Sequence, residues 1–227
     1  MWIGIGLLSA GAAYTLGAQL LTRLGAAVRR GPPQSRVALT FDDGPHPLYT
    51  PHLLELLDAH RVRVTFFLIG RHAEAHPQIV RTIAVRHDLG SHTYSHPHLW
   101  RLSPWQTHRE ILEGHRTVEA VAGRPVRFFR PPWGAMSLPA LWTCRAAGIV
   151  PVLWTVRGEG VVWRPSAEEM AQEVVRRSHP GAIVNLHDRG GFPDTPERVL
   201  RALPAMIRGL RARGLEPVGL EELLAGG

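Results

Sequence analysis

Short apolar runs alternate with longer stretches of helical periodicity from Arg36 to the end of the chain, and this alternation constrains the fold most. The runs Val37–Phe41, Val64–Ile69, Phe128–Arg130, Ile149–Val156, Ala182–Leu186 and Pro217–Leu220 read as strands, with a further short strand expected just before His92. Between them Pro51–His60, His76–Arg86, Pro104–Ala122, Leu138–Ala147, Ser166–Arg177 and Pro196–Arg213 read as helices. Strands that alternate with helices imply a parallel sheet covered by helices. About seven such units predict an α/β fold of (β/α) barrel type, distorted or incomplete. The polar residues that stand out all fall where strands end, the face on which barrel enzymes assemble their sites.

Two of these strand ends carry metal chemistry. Thr40-Phe41-Asp42-Asp43-Gly44 closes one apolar run with adjacent carboxylates, and His92-Thr93-Tyr94-Ser95-His96 sets two imidazoles four residues apart. Catalytic zinc sites commonly use three protein ligands and keep a position open, and Asp43, His92 and His96 can supply the three. A mixed imidazole and carboxylate set suits zinc, with cobalt or nickel as alternatives, and does not suit calcium. Residues at i and i+4 share a helix face, which would let both rings converge on one ion. Neighbours on a strand point opposite ways unless the strand ends there, and Gly44-Pro45 ends it. Asp42 is thereby left to face a substrate as a base. Taken singly, Asp-Asp-Gly is often a turn and His-x-x-x-His is often coincidence in a chain with 13 histidines.

With these residues the sequence resembles the polysaccharide deacetylases, the NodB-homology group that forms carbohydrate esterase family four. The likeness runs from about Arg36 to Leu224. Thr40–Gly44 and His92–His96 match the first two family motifs, Arg130-Pro131-Pro132-Trp133-Gly134 the third, and Leu186-His187-Asp188 the last. The resemblance implies hydrolysis of an N-acetyl group on a cell-wall or chitin-like polysaccharide. Asp42 would act as base, His187 as acid, and Arg130 would orient Asp42 through a bidentate pair. Asp43, His92 and His96 would hold the metal, which polarises the carbonyl and activates water. Pro132 and Trp133 would border the oxyanion, and Trp133, Trp154 and Trp163 could floor a sugar cleft, with core packing equally open for the last two. One motif departs from the pattern. After Trp154 the chain reads Arg157-Gly158-Glu159-Gly160, without the aspartates that tune the acid histidine, so the efficiency of His187 is in question unless Glu159 replaces them. His46 and His98 read as bystanders, and Asp188 as a turn residue whose role is open.

Other readings keep part of this pattern. The same metal and base could cleave O-acetyl esters of a xylan-like glycan, or the altered motif could mark a glycan-binding pseudoenzyme. The net charge of +7, carried wholly by arginine among the cations, suggests an anionic surface or polymer. No basic helix, RNA-binding aromatic motif or zinc finger accompanies it, so nucleic acid is not an expected partner, and no protein partner is expected. The lone Cys144 excludes an internal disulfide and reads as buried. Residues 1–22 read as a hydrophobic membrane-anchoring helix, with a cleaved signal as the alternative, 23–35 as a linker and 36–227 as the catalytic domain. A wall glycan places that domain outside the cytoplasm, whereas Arg23, Arg29 and Arg30 after the span favour the reverse.

Overall fold

The computed structural model describes residues 17–159, 165–190 and 194–225. Its centre is a wholly parallel sheet of β1 (Arg36–Asp42), β2 (Thr65–Leu68), β3 (Asp88–Ser91), β4 (Phe128–Phe129), β5 (Val150–Pro151), β6 (Val156–Arg157), β7 (Ile183–His187) and β8 (Glu216–Val218). Seven strands run in the order β5-β4-β3-β2-β1-β7-β6, and β8 pairs with the start of β1. The predicted strand Ile149–Val156 is split. Its first part pairs with β4 and its last with β7, so this one stretch touches both margins of the curled sheet. The result is the expected incomplete barrel.

The helices are α1 (Tyr49–His60), α2 (Gly70–Ala75), α3 (Pro77–Arg86), α4 (Pro104–Ala122), α5 (Leu138–Ala146), α6 (Ala167–Arg177), α7 (Thr195–Ala212) and α8 (Leu220–Leu224). Ser103 and Ser166 open α4 and α6 with reciprocal capping boxes to Gln106 and Glu169, which pair otherwise unsatisfied amides of the first turn. The short α2 and α8 were not expected. At five or six residues each, they are too short to show a helical period in the sequence.

Strand alternation sorts the core into two faces. Val37, Leu39 and Phe41 of β1 and Val184 and Leu186 of β7 join the layer beneath the helices. Ala38 and Ile183 face into the curl with Phe67, Phe128, Val152 and Val218. Thr40 and Asp42 share the parity of Ala38, and Asn185 and His187 that of Ile183. The register pairs them in sequence: Ala38 with Ile183, Thr40 with Asn185, Asp42 with His187. The inside of the curl is therefore apolar at its base, polar one layer up, and ionisable at the C-terminal rim. Cys144 is buried without a disulfide, and its burial pushes the thiol up to about 12.

The hydrophobic segment 1–22 lies mostly outside the described residues. Residues 17–21 are helical, a π-helical turn spans Thr22–Ala26, and no helix among the described residues is long and apolar enough to cross a membrane. Within the stretch read as a linker, Val28 bridges to Val152 and continues the sheet margin.

Gly114 of α4 shows how tightly the rim is fitted. A Cβ there would sit 2.2 Å from the carbonyl carbon of Thr93, in the loop that follows β3. Gly114→Ala is expected to cost about 1–3 kcal/mol by overpacking, read as a lowered midpoint in urea, and to weaken metal binding by displacing that loop.

Candidate metal centre and active site

Asp42 is the last residue of β1, and Asp43 takes a left-handed backbone, φ 72°. This reversal lets neighbouring carboxylates serve one site instead of opposite faces of a strand. Asp43 Oδ1 lies 3.1 Å from His96 Nε2 and 3.4 Å from His92 Nε2, and the three ligand atoms are all within 4.8 Å of one another. Oδ1 is buried and makes no satisfactory hydrogen bond, a donor set that a divalent cation would complete. Burial opposes ionisation of Asp43, but the imidazoles of His92 and His96 outweigh it and hold the carboxyl well below its usual range. His92 Nδ1 donates to the Arg130 carbonyl at 2.7 Å, which leaves Nε2 bare toward the triad.

The two histidines are not on a helix. They belong to a loop after β3 in which Thr93 and His96 are left-handed, φ 64° and 63°. That loop brings the rings to 5.0 Å between centroids. It is held from α4 by Glu110, whose carboxylate accepts from the amides of Tyr94 and Ser95 and from the Ser95 hydroxyl. On its other side the amides of Gly70 and Arg71, opening α2, donate to the carbonyls of Thr93 and Tyr94. Glu110 is a site residue that sequence reasoning passed over, because it lies mid-helix in a polar stretch with nothing local to distinguish it.

Arg130 is wholly buried. Its Nη1 donates to Asp42 Oδ1 and to Thr40 Oγ1, each at 2.7 Å. Its Nη2 and Nε donate to the carbonyls of Leu153 and Val152, and its guanidinium lies 4.0 Å above the Phe67 ring. The pairing with Asp42 is single, not the expected bidentate fork, because Asn185 Nδ2 takes Asp42 Oδ2 at 2.7 Å. Asn185 is the second residue missed. Its signal was there: it stands two positions before His187 on one strand and so faces the same way.

Glu159 brings a carboxylate to His187. Oε2 pairs with His187 Nδ1 at 2.7 Å, and Oε1 accepts from the His187 amide at 2.6 Å. Burial resists charging of His187, yet Glu159, helped by Asp42 and Asp43, pushes its pKa up to about 10. With Nδ1 committed, Nε2 is the nitrogen left to exchange a proton. Asp188 is more than a turn residue: it is buried, accepts from Thr50 Oγ1 at 2.5 Å, and burial pushes it up to about 7.

Of the aromatic candidates, Trp133 stands exposed at the rim with φ 54°, its ring centroid 4.4 Å from that of His96. Pro132 is buried in the same 3-10 turn. Trp154 is half-buried, 5.5 Å from the Arg130 guanidinium, and its ring tip occupies the space a side chain at Gly134 would need. Trp163 lies outside the described residues. His46 is not part of the ligand group and accepts from the amides of Leu48 and Tyr49 through Nδ1.

Comparison with known proteins agrees with this geometry. The polysaccharide deacetylase family profile matches residues 29–152. A chitooligosaccharide deacetylase of Bradyrhizobium sp. (strain ANU 289) is 36% identical over 82% of this chain and 90% of that protein. The chain belongs to the polysaccharide deacetylase family. Among solved structures, the Bc1960 peptidoglycan N-acetylglucosamine deacetylase superposes with a TM-score of 0.83 at 32% identity, over 92% of this chain and 97% of that one. Wild-type BA3943, a family-four pseudoenzyme from Bacillus anthracis, superposes at 0.78 with 30% identity, over 87% of this chain and 70% of that one.

Replacing His96 with alanine removes one of three candidate ligands. The expected outcome is much weaker binding of a divalent cation than in wild type in a competition titration, with the melting curve of the metal-free protein little changed.

Proposed function

We propose that this deacetylase-family chain is a metal-dependent amidohydrolase that removes acetyl groups from N-acetylglucosamine units of a cell-wall or chitin-like polysaccharide. The observation that carries the reading is that a buttressed base and a buttressed acid flank one candidate metal triad. A module that only bound glycan would need neither. The relatives named for chitooligosaccharide and for peptidoglycan N-acetylglucosamine support the substrate class.

Zinc, cobalt or nickel held by Asp43, His92 and His96 would supply Lewis-acid polarisation of the acetyl carbonyl and make water more acidic. Asp42, kept in place by Arg130 and Asn185, accepts the proton of the attacking water as its oxygen bonds to the carbonyl carbon. Charge builds on the carbonyl oxygen, and the Trp133 amide is the backbone donor assigned to it. The carbon–nitrogen bond then breaks as His187 Nε2 passes a proton to the departing nitrogen. The products are acetate and the free amino sugar. An amine leaves poorly unless protonated, so a histidine held cationic by Glu159 favours amide cleavage over the ester alternative. The pairing of Glu159 with His187 also weighs against the pseudoenzyme alternative, which rested on the altered motif. We place the catalytic domain outside the cytoplasm, where an acetylated wall glycan lies, tethered through the N-terminal hydrophobic segment.

The direct test is acetate release from N-acetylglucosamine oligomers by metal-loaded and metal-stripped protein, beside Asp42→Asn. Metal-dependent release, reduced on the order of 10²–10⁴-fold in the variant, is expected. No release from any N-acetylated glycan, with turnover of an acetyl ester of xylan, would overturn the amidase reading.

The pH profile tests the acid. His187 is raised in pKa, so its donating form dominates below that value and is lost as pH rises through it. Glu159→Gln removes the anion that raises it. The alkaline limb of kcat is therefore expected to move down by about one pH unit or more, with the acid limb unmoved.

A further inference from the structure

A row of rings leads away from the triad on the side of the β3 and β4 loops. It begins at His96, itself a candidate ligand, and passes to Trp133 at 4.4 Å between centroids. Trp133 stacks on His98, 5.3 Å apart with 21° between planes, and His98 meets Trp100 edge-on at 5.2 Å. Trp133 and Trp100 are both exposed, and His98 is half-buried between them. The buried Nδ1 of His98 makes no hydrogen bond, so ring contacts account for its placement. Trp100 Nε1 donates to the Met136 carbonyl at 2.8 Å, which ties the loop bearing His92 and His96 to the loop bearing Trp133. The indole of Trp100 is therefore held by a hydrogen bond while part of it stays exposed to solvent.

Trp133 and Trp100 keep exposed ring surface beside a buried charge network, and the Met136 hydrogen bond engages only the Trp100 ring nitrogen. Leu99 and Ile111 belong to a small buried core with Phe129 and Met136. Rings fixed in advance bind flat apolar faces without an ordering cost. Beside a centre that acts on an acetamido sugar, such faces are the C–H faces of pyranose rings.

We propose that Trp100, backed by His98, forms a glycan-binding subsite beyond the reacting sugar, so that the chain selects oligosaccharides long enough to reach it. This rests on the deacetylase reading for the identity of the ligand. Trp133 borders the reacting unit, and Trp100 lies one imidazole further out and takes a neighbouring unit of the same chain. It contributes to holding long substrates and does not touch the reacting atoms.

The test compares N-acetylglucosamine dimer and pentamer, with full-length wild type, Trp100→Leu and Trp100→Phe. KM and kcat come from acetate release, and Kd for each oligomer from calorimetry, which requires no turnover. Truncating an aromatic contact at a binding surface is commonly worth about tenfold. Trp100→Leu is thus expected to raise pentamer KM and Kd by about that factor, and by more than it raises the dimer values, whereas Trp100→Phe, which loses the same Met136 hydrogen bond but keeps a ring, is expected to retain most of the pentamer affinity. Equal losses on dimer and pentamer, or no loss on either, would overturn the subsite. Should Trp100→Leu fold poorly, the pentamer-to-dimer affinity ratio of Trp100→Phe against Trp100→His decides the same point. A wild type that releases no acetate would contradict the deacetylase reading alone, because the oligomer Kd values would still decide whether Trp100 binds glycan.

Discussion

A guanidinium with no access to water sits where the inside of the curled sheet changes from apolar to ionisable. Arg130 could not be buried there alone, since an uncompensated charge in such a place costs several kcal/mol. Asp42 neutralises it, and Thr40, Val152 and Leu153 accept its remaining donors. The same contact fixes the position of Asp42. Asp42 can be buried as an anion at the end of a strand because Arg130 and Asn185 hold its two oxygens, one each. Through its backbone carbonyl Arg130 also fixes the His92 ring. One residue thus links the candidate base, a candidate metal ligand and the core below.

The rim is strained where the chemistry is and relaxed elsewhere. Among the described residues, five other than glycine have left-handed backbones: Asp43, Thr93, His96 and Trp133 border the site, and Arg61 ends α1. Such conformations cost about 1–3 kcal/mol each and persist only when the surroundings impose them. Here the Glu110 carboxylate, the start of α2 and the close approach of Gly114 impose the loop from Thr93 to His96. Binding residues placed on such loops gain precision from the scaffold, at the expense of stability that the parallel core supplies.

Much of this could be read from sequence. Apolar runs and helical periods located the strands and six of the helices, and the strand ends marked Asp42, Asp43, Arg130 and His187 before any coordinates. What could not be read depended on contacts distant in sequence. A His-x-x-x-His spacing suits a helix face or a tight loop equally well, and only the left-handed Thr93 and His96 distinguish them. The division of Ile149–Val156 into two strands depends on which neighbour each half meets. Glu110 and Asn185 act across gaps that leave no local pattern. Glu159 was visible as a candidate, but its role required a distance to His187. In each case the missing information was pairing across the fold rather than propensity within a segment.

The keystone position of Arg130 is tested most directly by a double-mutant cycle on folding stability. Unfolding free energies would be measured in urea for wild type, Asp42→Asn, Arg130→Met and the double variant, all without metal. Removing the cation alone is expected to cost about 3–5 kcal/mol, because it leaves a buried carboxylate unpaired. Removing both charges should recover most of that loss, giving a coupling of a few kcal/mol between the two positions. Additive effects, with the double variant as unstable as the sum of the single ones, would contradict the account.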